Sequence, residues 1–183
     1  MHHLTTAELN AGLGEIRQSP PDAGRLDSIV RRPQSERREE LEAGELNETE
    51  GLAGDCWRPN GTSADGDPPR IETQLTLMNS RTIAHIAQHR DRWQLAGDQL
   101  YLDLDLSTDN LPPGTRLQIG EAVIQITDEP HTGCRKFIER FGRDAMIWVN
   151  SDVGRELNLR GIYARVIQPG RIEVGQTVRE LQD

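Results

Sequence analysis

Cys134 stands in the segment of this sequence that is richest in chemically useful side chains. Residues 129–137 read Glu-Pro-His-Thr-Gly-Cys-Arg-Lys-Phe, so His131, Arg135 and Lys136 lie within three positions of the thiol. The segment follows a predicted buried strand and precedes a predicted helix. Cationic neighbours and the free N–H groups of a helix N-terminus favour the thiolate form of cysteine. The pattern therefore predicts a thiolate that can attack, carry sulfur or ligate a soft metal.

A buried structural role is the alternative interpretation of Cys134, because free cysteines often pack in protein cores as small hydrophobic residues. A packing role does not require the neighbouring His, Arg and Lys, which favour the reactive interpretation. The other cysteine, Cys56, could pair with Cys134, but free thiols are expected in a reducing cytosol. The two cysteines and His131 could also form an open zinc site, although the paired Cys-x-x-Cys spacing is missing.

Further polar residues are candidates for ligand binding. Asp55 either orients a site residue or caps a turn. Arg58 and Arg160 are potential anion ligands, since a guanidinium group pairs well with phosphate or carboxylate, or they are solvated surface arginines. His85 and His89 lie one turn apart on a predicted helix, and we interpret them as part of a solvated face.

Short strands and tight turns are the elements that must position these residues. Leucines at positions 100, 102, 104 and 106 alternate with Tyr101, Asp103 and Asp105, which predicts a half-buried strand whose aspartates face solvent. Apolar runs flank Gly120-Glu121, and a glycine at the first position of a two-residue loop favours a type II′ hairpin. Two closing strands are predicted at 162–167 and 171–178.

The sequence predicts only short helices. Thr5-Thr6-Ala7-Glu8 fits a capping box, Ser80 is a plausible N-cap for the helix that carries His85, and Gly142 ends a short helix over 137–141. Residues 54–70 are rich in Gly, Pro, Asp and Asn, and so long a connection predicts a loop that lines a site.

These elements predict the fold class and the boundaries of the domain. We expect a mainly β domain over residues 24–180, built as a closed or partly open β-barrel with short helical insertions, after an N-terminal helical extension over 1–23.

Composition narrows the function classes. The 183 residues include 30 acidic and 21 basic side chains, and the net charge of −9 disfavours a nucleic-acid partner. The sequence shows neither a signal peptide nor an apolar run of the roughly 20 residues that a membrane span needs. A cytoplasmic protein without a membrane partner is therefore expected.

Several segments, taken in order, resemble the MOSC domain, the module related to the C-terminal part of molybdenum-cofactor sulfurase. Gly-Leu-Ala-Gly-Asp at 51–55 is similar to the family's Gly-x-x-Gly-Asp segment, and residues 74–77, 111–120 and 159–166 resemble its following strand, hairpin entry and closing strands. Cys134 matches the position of the family's characteristic cysteine. The sequence departs from the family at Trp57, where histidine is frequent, and at Gly133, where proline is frequent.

The resemblance implies a barrel related to the pyruvate-kinase barrel domain, and molybdenum-pterin or sulfur-transfer chemistry. Cys134 would then be a molybdenum ligand or a sulfur-carrying thiolate, and a redox or sulfur-donor protein its partner. The implied contacts to a small anionic ligand or cofactor are His131, Thr132, Arg135, Asp55, Arg58 and Arg160. No lysine precedes Lys136, and no region resembles the aminotransferase-like sulfurase domain, which argues against pyridoxal phosphate.

Two other functions stay open at this point. One is a non-catalytic ligand- or partner-binding module on the same barrel, with Trp57 in the 54–70 loop as its anchor. The other is a metal-free thiol-redox protein, in which Cys134 is reversibly oxidised.

Overall fold

A computed structural model describes residues 2–61, 66–133 and 135–182 of the chain. Within these residues there are eleven strands and seven α-helices, joined by turns and two 3₁₀ segments at Ile71–Thr73 and Arg90–Ala96. The strands are β1 Gly24–Arg31, β2 Glu39–Leu41, β3 Ala43–Asn47, β4 Gly51–Leu52, β5 Leu75–Asn79, β6 Leu100–Asp103, β7 Arg116–Ile119, β8 Ala122–Ile126, β9 Ile162–Gln168, β10 Gly170–Glu173 and β11 Thr177–Glu180. The helices are α1 Thr6–Ala11, α2 Leu13–Ile16, α3 Trp57–Gly61, α4 Ser80–Ala87, α5 Arg135–Phe141, α6 Arg143–Val149 and α7 Asp152–Glu156.

Seven strands close into a barrel in the order β11-β7-β8-β9-β5-β6-β1, and β1 pairs with β11 to complete the ring. All neighbours in the ring are antiparallel except β5 and β6, which are parallel and connected through α4. Closure leaves each barrel strand with two partners and so removes the unpaired edges of an open sheet. The predicted closed barrel with short helical insertions is confirmed. A small sheet in the order β10-β3-β4 lies beside it.

The barrel interior is filled mainly by leucine and isoleucine side chains, and every barrel strand contributes to it. Strand β1 contributes Leu26 and Ile29, which are three positions apart rather than two. The register between β1 and β6 shifts between Leu26 and Ser28, so an irregularity there changes the alternation of inward and outward side chains. Both residues are therefore buried in the same core, whereas Val30 faces the helices.

A second apolar cluster lies between the outer wall of the barrel and the helices. It joins Val30, Met78 and Tyr101 of the strands to Phe137, Phe141 and Trp148 of α5 and α6. Tyr101 is 0% exposed, and its hydroxyl donates a hydrogen bond to the Trp93 carbonyl at 2.8 Å. The outer face of β6 is thus covered, which a simple alternation of apolar and polar residues does not indicate.

Strand β6 is shorter than the alternating leucines predict. It ends at Asp103, and Leu104 and Leu106 are buried beyond the end of the strand. The predicted closing strand over 171–178 is likewise divided, because Val174-Gly175-Gln176 interrupts it between β10 and β11. Gly175 adopts a φ of +90°, a left-handed conformation that ends a strand.

The predicted hairpin is confirmed. Gly120-Glu121 joins β7 to β8, Ile119 pairs with Ala122 and Gly120 has a φ of +56°. The conformation at Gly120 fits the first position of a type II′ turn.

The first helix also begins as predicted. Thr5 caps α1, with its side chain accepting from the Glu8 N–H and the Glu8 carboxylate accepting from the Thr5 N–H. Leu9 of α1 is 0% exposed and belongs to the second cluster. The N-cap of α4 is Asn79 and not Ser80, because the side-chain oxygen Oδ1 of Asn79 accepts from the Thr82 N–H at 2.9 Å. Across the described ranges, every helix falls short of the length and apolarity needed to cross a bilayer.

Candidate functional site

A cavity of about 420 Å³ opens beside the end of β1 and is lined by four cationic side chains. We call it the cationic cavity. Arg32 and Arg38 come from the connection after β1, Arg70 from the segment that follows α3, and Lys136 from α5. Among the described residues of the lining, Glu36 is the one acidic side chain. The cavity is therefore suited to an anionic ligand.

Asp55 fixes Arg32 at the edge of this cavity. The Asp55 carboxylate, which is 0% exposed, accepts from the Arg32 backbone N–H at 2.8 Å, from Nε at 2.9 Å and from Nη2 at 2.8 Å. It also accepts from the Trp57 N–H at 2.8 Å, which holds the start of α3. Asp55 thus both orients a residue of the cavity and shapes a turn, so the two interpretations of Asp55 are compatible.

Arg38 brings positive charge that no carboxylate neutralises directly within the described part of the chain. Its Nη1 donates to the Arg37 carbonyl, while its buried Nε atom has no hydrogen-bond partner there. Burial lowers the pKa of Arg38, and the charges of Arg140 and Arg32 lower it further. An anion placed beside these guanidinium groups would relieve that repulsion.

Glu36 partly balances the positive charge of the cationic cavity. Its carboxylate contacts the Lys136 ammonium group and accepts from Arg140 Nη2 at 2.8 Å. These two cations lower the pKa of Glu36, with the hydrogen bond from Lys136 as the larger cause. The contact ties α5 to the segment after β1.

Cys56 and Trp57 give the cavity a thiol and an aromatic surface. Cys56 is 8% exposed, and its Sγ accepts a hydrogen bond from Asn60 Nδ2 at 2.9 Å. The Trp57 indole N–H donates to Thr73 Oγ1 at 3.2 Å, which connects α3 to the 3₁₀ segment at Ile71–Thr73. Residues at both described ends of the 54–70 segment line this cavity, but the segment is not the uninterrupted loop that was predicted, because α3 occupies Trp57–Gly61.

A second cavity of about 250 Å³, here called the histidine cavity, is lined by His131, Thr132, Arg155 and Arg160 among others. Arg160 is almost fully buried and donates from Nη1 to Asp98 Oδ2 at 2.8 Å and from Nη2 to the Ala96 carbonyl at 3.2 Å. Its guanidinium carbon lies 5.0 Å from the centre of the Phe137 ring. Arg160 is thus a structural ion-pair partner that also borders a cavity.

His131 packs inside the wall of the histidine cavity. Its side chain is 5% exposed, and its ring centre lies 4.4 Å from that of Tyr163. Burial lowers the pKa of His131 well below its usual value, and the charges of Arg160 and Arg32 act in the same direction. The imidazole is therefore neutral at pH 7.

A buried polar connection runs between the two cavities. Arg32, which is hydrogen-bonded to Asp55, also donates from Nη1 to the Gly97 carbonyl at 2.8 Å. The next residue, Asp98, pairs with Arg160. Ionic side chains of the two sites are therefore linked through one short stretch of backbone.

The predicted site residues fall into separate places. Cys134 lies outside the described residues, between Gly133 and the first residue of α5. Arg135 is 91% exposed and pairs with Glu139 at 3.0 Å. Arg58 is exposed, does not line the cationic cavity, and donates from Nη1 to the Thr49 carbonyl at 3.3 Å. Thr132 is exposed at the histidine cavity.

Sequence reasoning missed Arg32, Arg38, Arg70 and Asp98. Arg32 meets its partner Asp55 across 23 positions, and Asp98 meets Arg160 across 62. No local motif marks such pairs. A detectable signal was the density of arginine at the end of β1 and just after it, at positions 31, 32, 37 and 38.

Metal ligands do not converge in the described part of the chain, where no group of three or more His, Cys, Asp or Glu side chains is arranged to hold an ion. The zinc site of Cys56, His131 and Cys134 includes a residue outside that part and stays a hypothesis.

Solved structures with a similar fold are found at low sequence identity. YiiM from Escherichia coli is 19% identical, with a TM-score of 0.56 over 87% of this chain and 70% of its own. YiiM from Geobacillus stearothermophilus is 17% identical, with a TM-score of 0.58 over 87% and 75%. The YUAD protein from Bacillus subtilis is 16% identical, with a TM-score of 0.58 over 87% and 97%. These likenesses concern the fold alone.

Comparison of the sequence with curated proteins gives no match. The family model of the MOSC domain, in contrast, matches residues 68–179, which is more than half of the chain. The matched range includes α5 and the barrel strands β5 to β9. On this match, and with a closed barrel of the expected kind, the chain belongs to the MOSC domain family.

Proposed function

We propose that this chain binds a molybdenum–pterin cofactor through the cationic cavity, and that Cys134 either ligates molybdenum or carries transferable sulfur. The observation that carries the proposal is the cationic lining of the cavity, where Arg32, Arg38, Arg70 and Lys136 outnumber the one lining carboxylate, Glu36; Arg32 and Arg70 are paired with Asp55 and Glu129 outside the lining, whereas Arg38 has no carboxylate partner among the described residues. A pterin cofactor of this type bears a phosphate group, for which guanidinium and ammonium groups are suitable donors.

The described residues fit such a ligand in size and in chemistry. A volume of about 420 Å³ lies in the usual range of small-molecule sites. The buried Nε of Arg38 has no partner within the described chain, and Trp57 supplies an aromatic face for a planar ring. Arg38 and Lys136 would hold the phosphate, and Asp55 would keep Arg32 in place beside it.

The bound cofactor would supply two-electron redox chemistry or a metal centre that accepts sulfur. The chain's own contribution would be to neutralise the anionic ligand, orient it against Trp57 and present the thiol of Cys134. Turnover would then require a redox or sulfur-donor protein as partner.

Cofactor content tests this proposal directly. The wild-type protein is purified from a host that makes the cofactor, beside Arg38→Gln, Cys134→Ser and the matched thiol control Cys56→Ser. Molybdenum is measured by mass spectrometry and pterin by fluorescence after oxidation. We expect both in the wild type and in Cys56→Ser, and a loss of both in Arg38→Gln. Wild-type protein without molybdenum and pterin would overturn the proposal.

The same samples separate the two roles of Cys134. If the thiol is a molybdenum ligand, Cys134→Ser lowers the molybdenum content. If it carries sulfur, Cys134→Ser keeps molybdenum but loses the sulfur that cyanide releases as thiocyanate from the wild type.

A non-catalytic anion-binding module is the second candidate function. One observation favours it: the four cations of the cavity need no thiol to form an anion site. This function predicts that Cys134→Ser binds sulfate as tightly as the wild type, and that neither protein contains molybdenum.

A further inference from the structure

Three buried polar atoms without hydrogen-bond partners lie together beside the histidine cavity. They are Asp98 Oδ1, His131 Nδ1 and Arg160 Nε. Unpartnered buried polar atoms are rare in folded proteins, because each loses its hydration without a replacement. Their concentration in one place therefore indicates a site whose missing hydrogen bonds form when a ligand binds.

Asp98 and His131 are placed to form a hydrogen bond with each other. Asp98 Oδ1 and His131 Nδ1 are 3.8 Å apart, and both side chains are almost fully excluded from solvent at 0% and 5% exposure. Neither atom is accessible to bulk solvent. A ring displacement of less than 1 Å would bring the pair within hydrogen-bond distance.

The other oxygen of Asp98 fixes the direction of this hydrogen bond. Asp98 Oδ2 accepts from Arg160 Nη1 at 2.8 Å, so Arg160 neutralises the carboxylate and holds its plane. Oδ1 is then left as an acceptor facing His131. Because a neutral imidazole has one N–H group, a donor at Nδ1 makes Nε2 an acceptor.

We propose that Asp98 and His131 form a buried dyad in which Asp98 fixes the Nδ1-protonated tautomer of His131, so that Nε2 accepts a proton or a hydrogen bond from a ligand in the histidine cavity. Asp98 is the positioning residue, and His131 is the residue that touches the ligand. Burial keeps the imidazole neutral at pH 7, as its lowered pKa requires.

The lining of the histidine cavity identifies the class of ligand. Arg155 and Arg160 line it and the described lining contains no carboxylate, but Arg160 is paired with the buried Asp98, so the positive charge comes from Arg155, whose partner Asp152 is fully exposed. An anion can replace the exposed Asp152 at Arg155, while the neutral acceptor of His131 requires a donor on the same ligand. An oxyanion that still carries one proton, such as monohydrogen phosphate, meets both conditions.

The tautomer of His131 is the first test. Long-range ¹H–¹⁵N spectra of protein labelled at histidine distinguish the two tautomers, and His131→Gln assigns the signals. We expect the Nδ1–H form in the wild type at pH 8. An Nε2–H tautomer in the wild type would overturn the dyad.

Asp98→Asn sharpens this test because Arg160 dictates how the amide must turn. The amide oxygen has to accept from Arg160, so the amide N–H₂ group faces Nδ1 of His131 and forces the Nε2–H tautomer. Asp103→Asn is the matched control, since Asp103 also pairs with an arginine, Arg81, away from His131. A tautomer that stays the same in folded Asp98→Asn would contradict the proposal.

Anion titrations test the ligand class. At pH 8, phosphate is mostly a dianion with one proton, whereas sulfate is a dianion with none. Following the His131 signals, we expect phosphate to bind about tenfold more tightly than sulfate, as one charge-assisted hydrogen bond predicts. Equal affinities of the two anions would overturn this ligand class.

Two variants keep this inference separate from the cofactor proposal. Asp98→Asn is expected to abolish the preference for phosphate, because the Nε2–H group of His131 would then donate to sulfate and sulfate would bind more tightly than in the wild type. Lys136→Gln, in the cationic cavity, is expected to keep the preference for phosphate. If this variant lost the preference, the preference would belong to the cationic cavity, and its assignment to the histidine cavity would be overturned.

Discussion

Arg32 and Asp55 are joined by three hydrogen bonds, from the backbone N–H, Nε and Nη2 of the arginine to the two oxygens of the carboxylate. The pair connects the residue after β1 to the Gly-Asp segment that precedes α3. It also aims a guanidinium group at the cationic cavity. One ion pair thus holds the backbone segment that precedes α3 and orients a guanidinium group of the cavity.

Replacing Asp55 by Asn is expected to reduce the free energy of unfolding by about 3 kcal/mol or more, because it leaves the Arg32 charge without its partner in a mostly buried position. Urea unfolding measures this change. Asp152→Asn is the control, since Asp152 is fully exposed and its pair with Arg155 lies at the surface. The Asp152 variant should stay within about 0.5 kcal/mol of the wild type. Equal effects of the two variants would contradict the role given to Asp55.

Local sequence patterns predicted the features that depend on neighbouring residues. The capping box at Thr5 and the hairpin at Gly120 are set by residues one to three positions apart, and both were found where expected. Tyr101 was interpreted as part of a strand with one polar face, but helices cover the outside of the barrel at that point. An alternating pattern shows which face is apolar and does not show what packs on the other face.

The site was less predictable than the barrel. Arg32, Arg38 and Asp98 have no motif of their own and acquire their roles from partners far along the chain. His131 was selected from sequence as a cationic neighbour of a thiol, whereas burial keeps it neutral. The protonation state of a histidine depends on its tertiary surroundings, so composition alone does not determine it.

Replacing Arg38 by Gln is expected to weaken sulfate binding about tenfold, since one charge-assisted hydrogen bond is lost. The free energy of unfolding should be unchanged or higher, because the variant also removes repulsion between Arg38 and its cationic neighbours. Calorimetric titration and urea unfolding provide the two measurements. Arg58→Gln, outside the cavity lining, is the control and should bind sulfate like the wild type. A parallel loss of affinity in both variants would show that only net charge matters.

Gly161 and Gly114 form a matched pair for a test of close packing at the site. Their φ angles are +100° and +97°, so an added Cβ strains both backbones similarly. At Gly161 that Cβ would lie 2.2 Å from the Leu77 carbonyl oxygen, whereas at Gly114 it would meet nothing within 4 Å. We expect Gly161→Ala to cost at least about 2 kcal/mol more than Gly114→Ala in urea unfolding. Equal losses would mean that the strand next to Gly161 moves without cost.

The neutral state of His131 makes stability depend on pH. Its pKa is lowered in the folded protein, where Arg160 and Arg32 oppose a further positive charge and Asp98 is already paired with Arg160. Below about pH 6.5 the unfolded chain therefore binds a proton at His131 that the folded protein does not.

The contribution of His131 to stability is accordingly present above pH 6.5 and is lost as the pH falls toward its folded-state pKa. Relative to His131→Gln, the wild type should lose up to about 1.4 kcal/mol per pH unit between about pH 6 and pH 5. Urea unfolding of both proteins across this range measures the difference. Parallel stability curves would show that His131 has the same pKa in the folded protein as in the unfolded chain.

Cys134 is expected to react as a thiolate at a lower pH than a free cysteine. Arg135 and Lys136 follow it directly, and Lys136 lines the cationic cavity. The rate of iodoacetamide alkylation against pH, measured on Cys56→Ser so that one thiol reports, should show a midpoint below about 8.5. Lys136→Gln should move that midpoint upward, because a positive charge near the thiolate is lost.

Cys134→Ser serves as the control for the other thiol and should react slowly, since Cys56 is 8% exposed and its sulfur accepts from Asn60. A midpoint at or above about 8.5 that Lys136→Gln does not change would assign Cys134 a structural role, and the barrel would then act as a binding module without thiol chemistry.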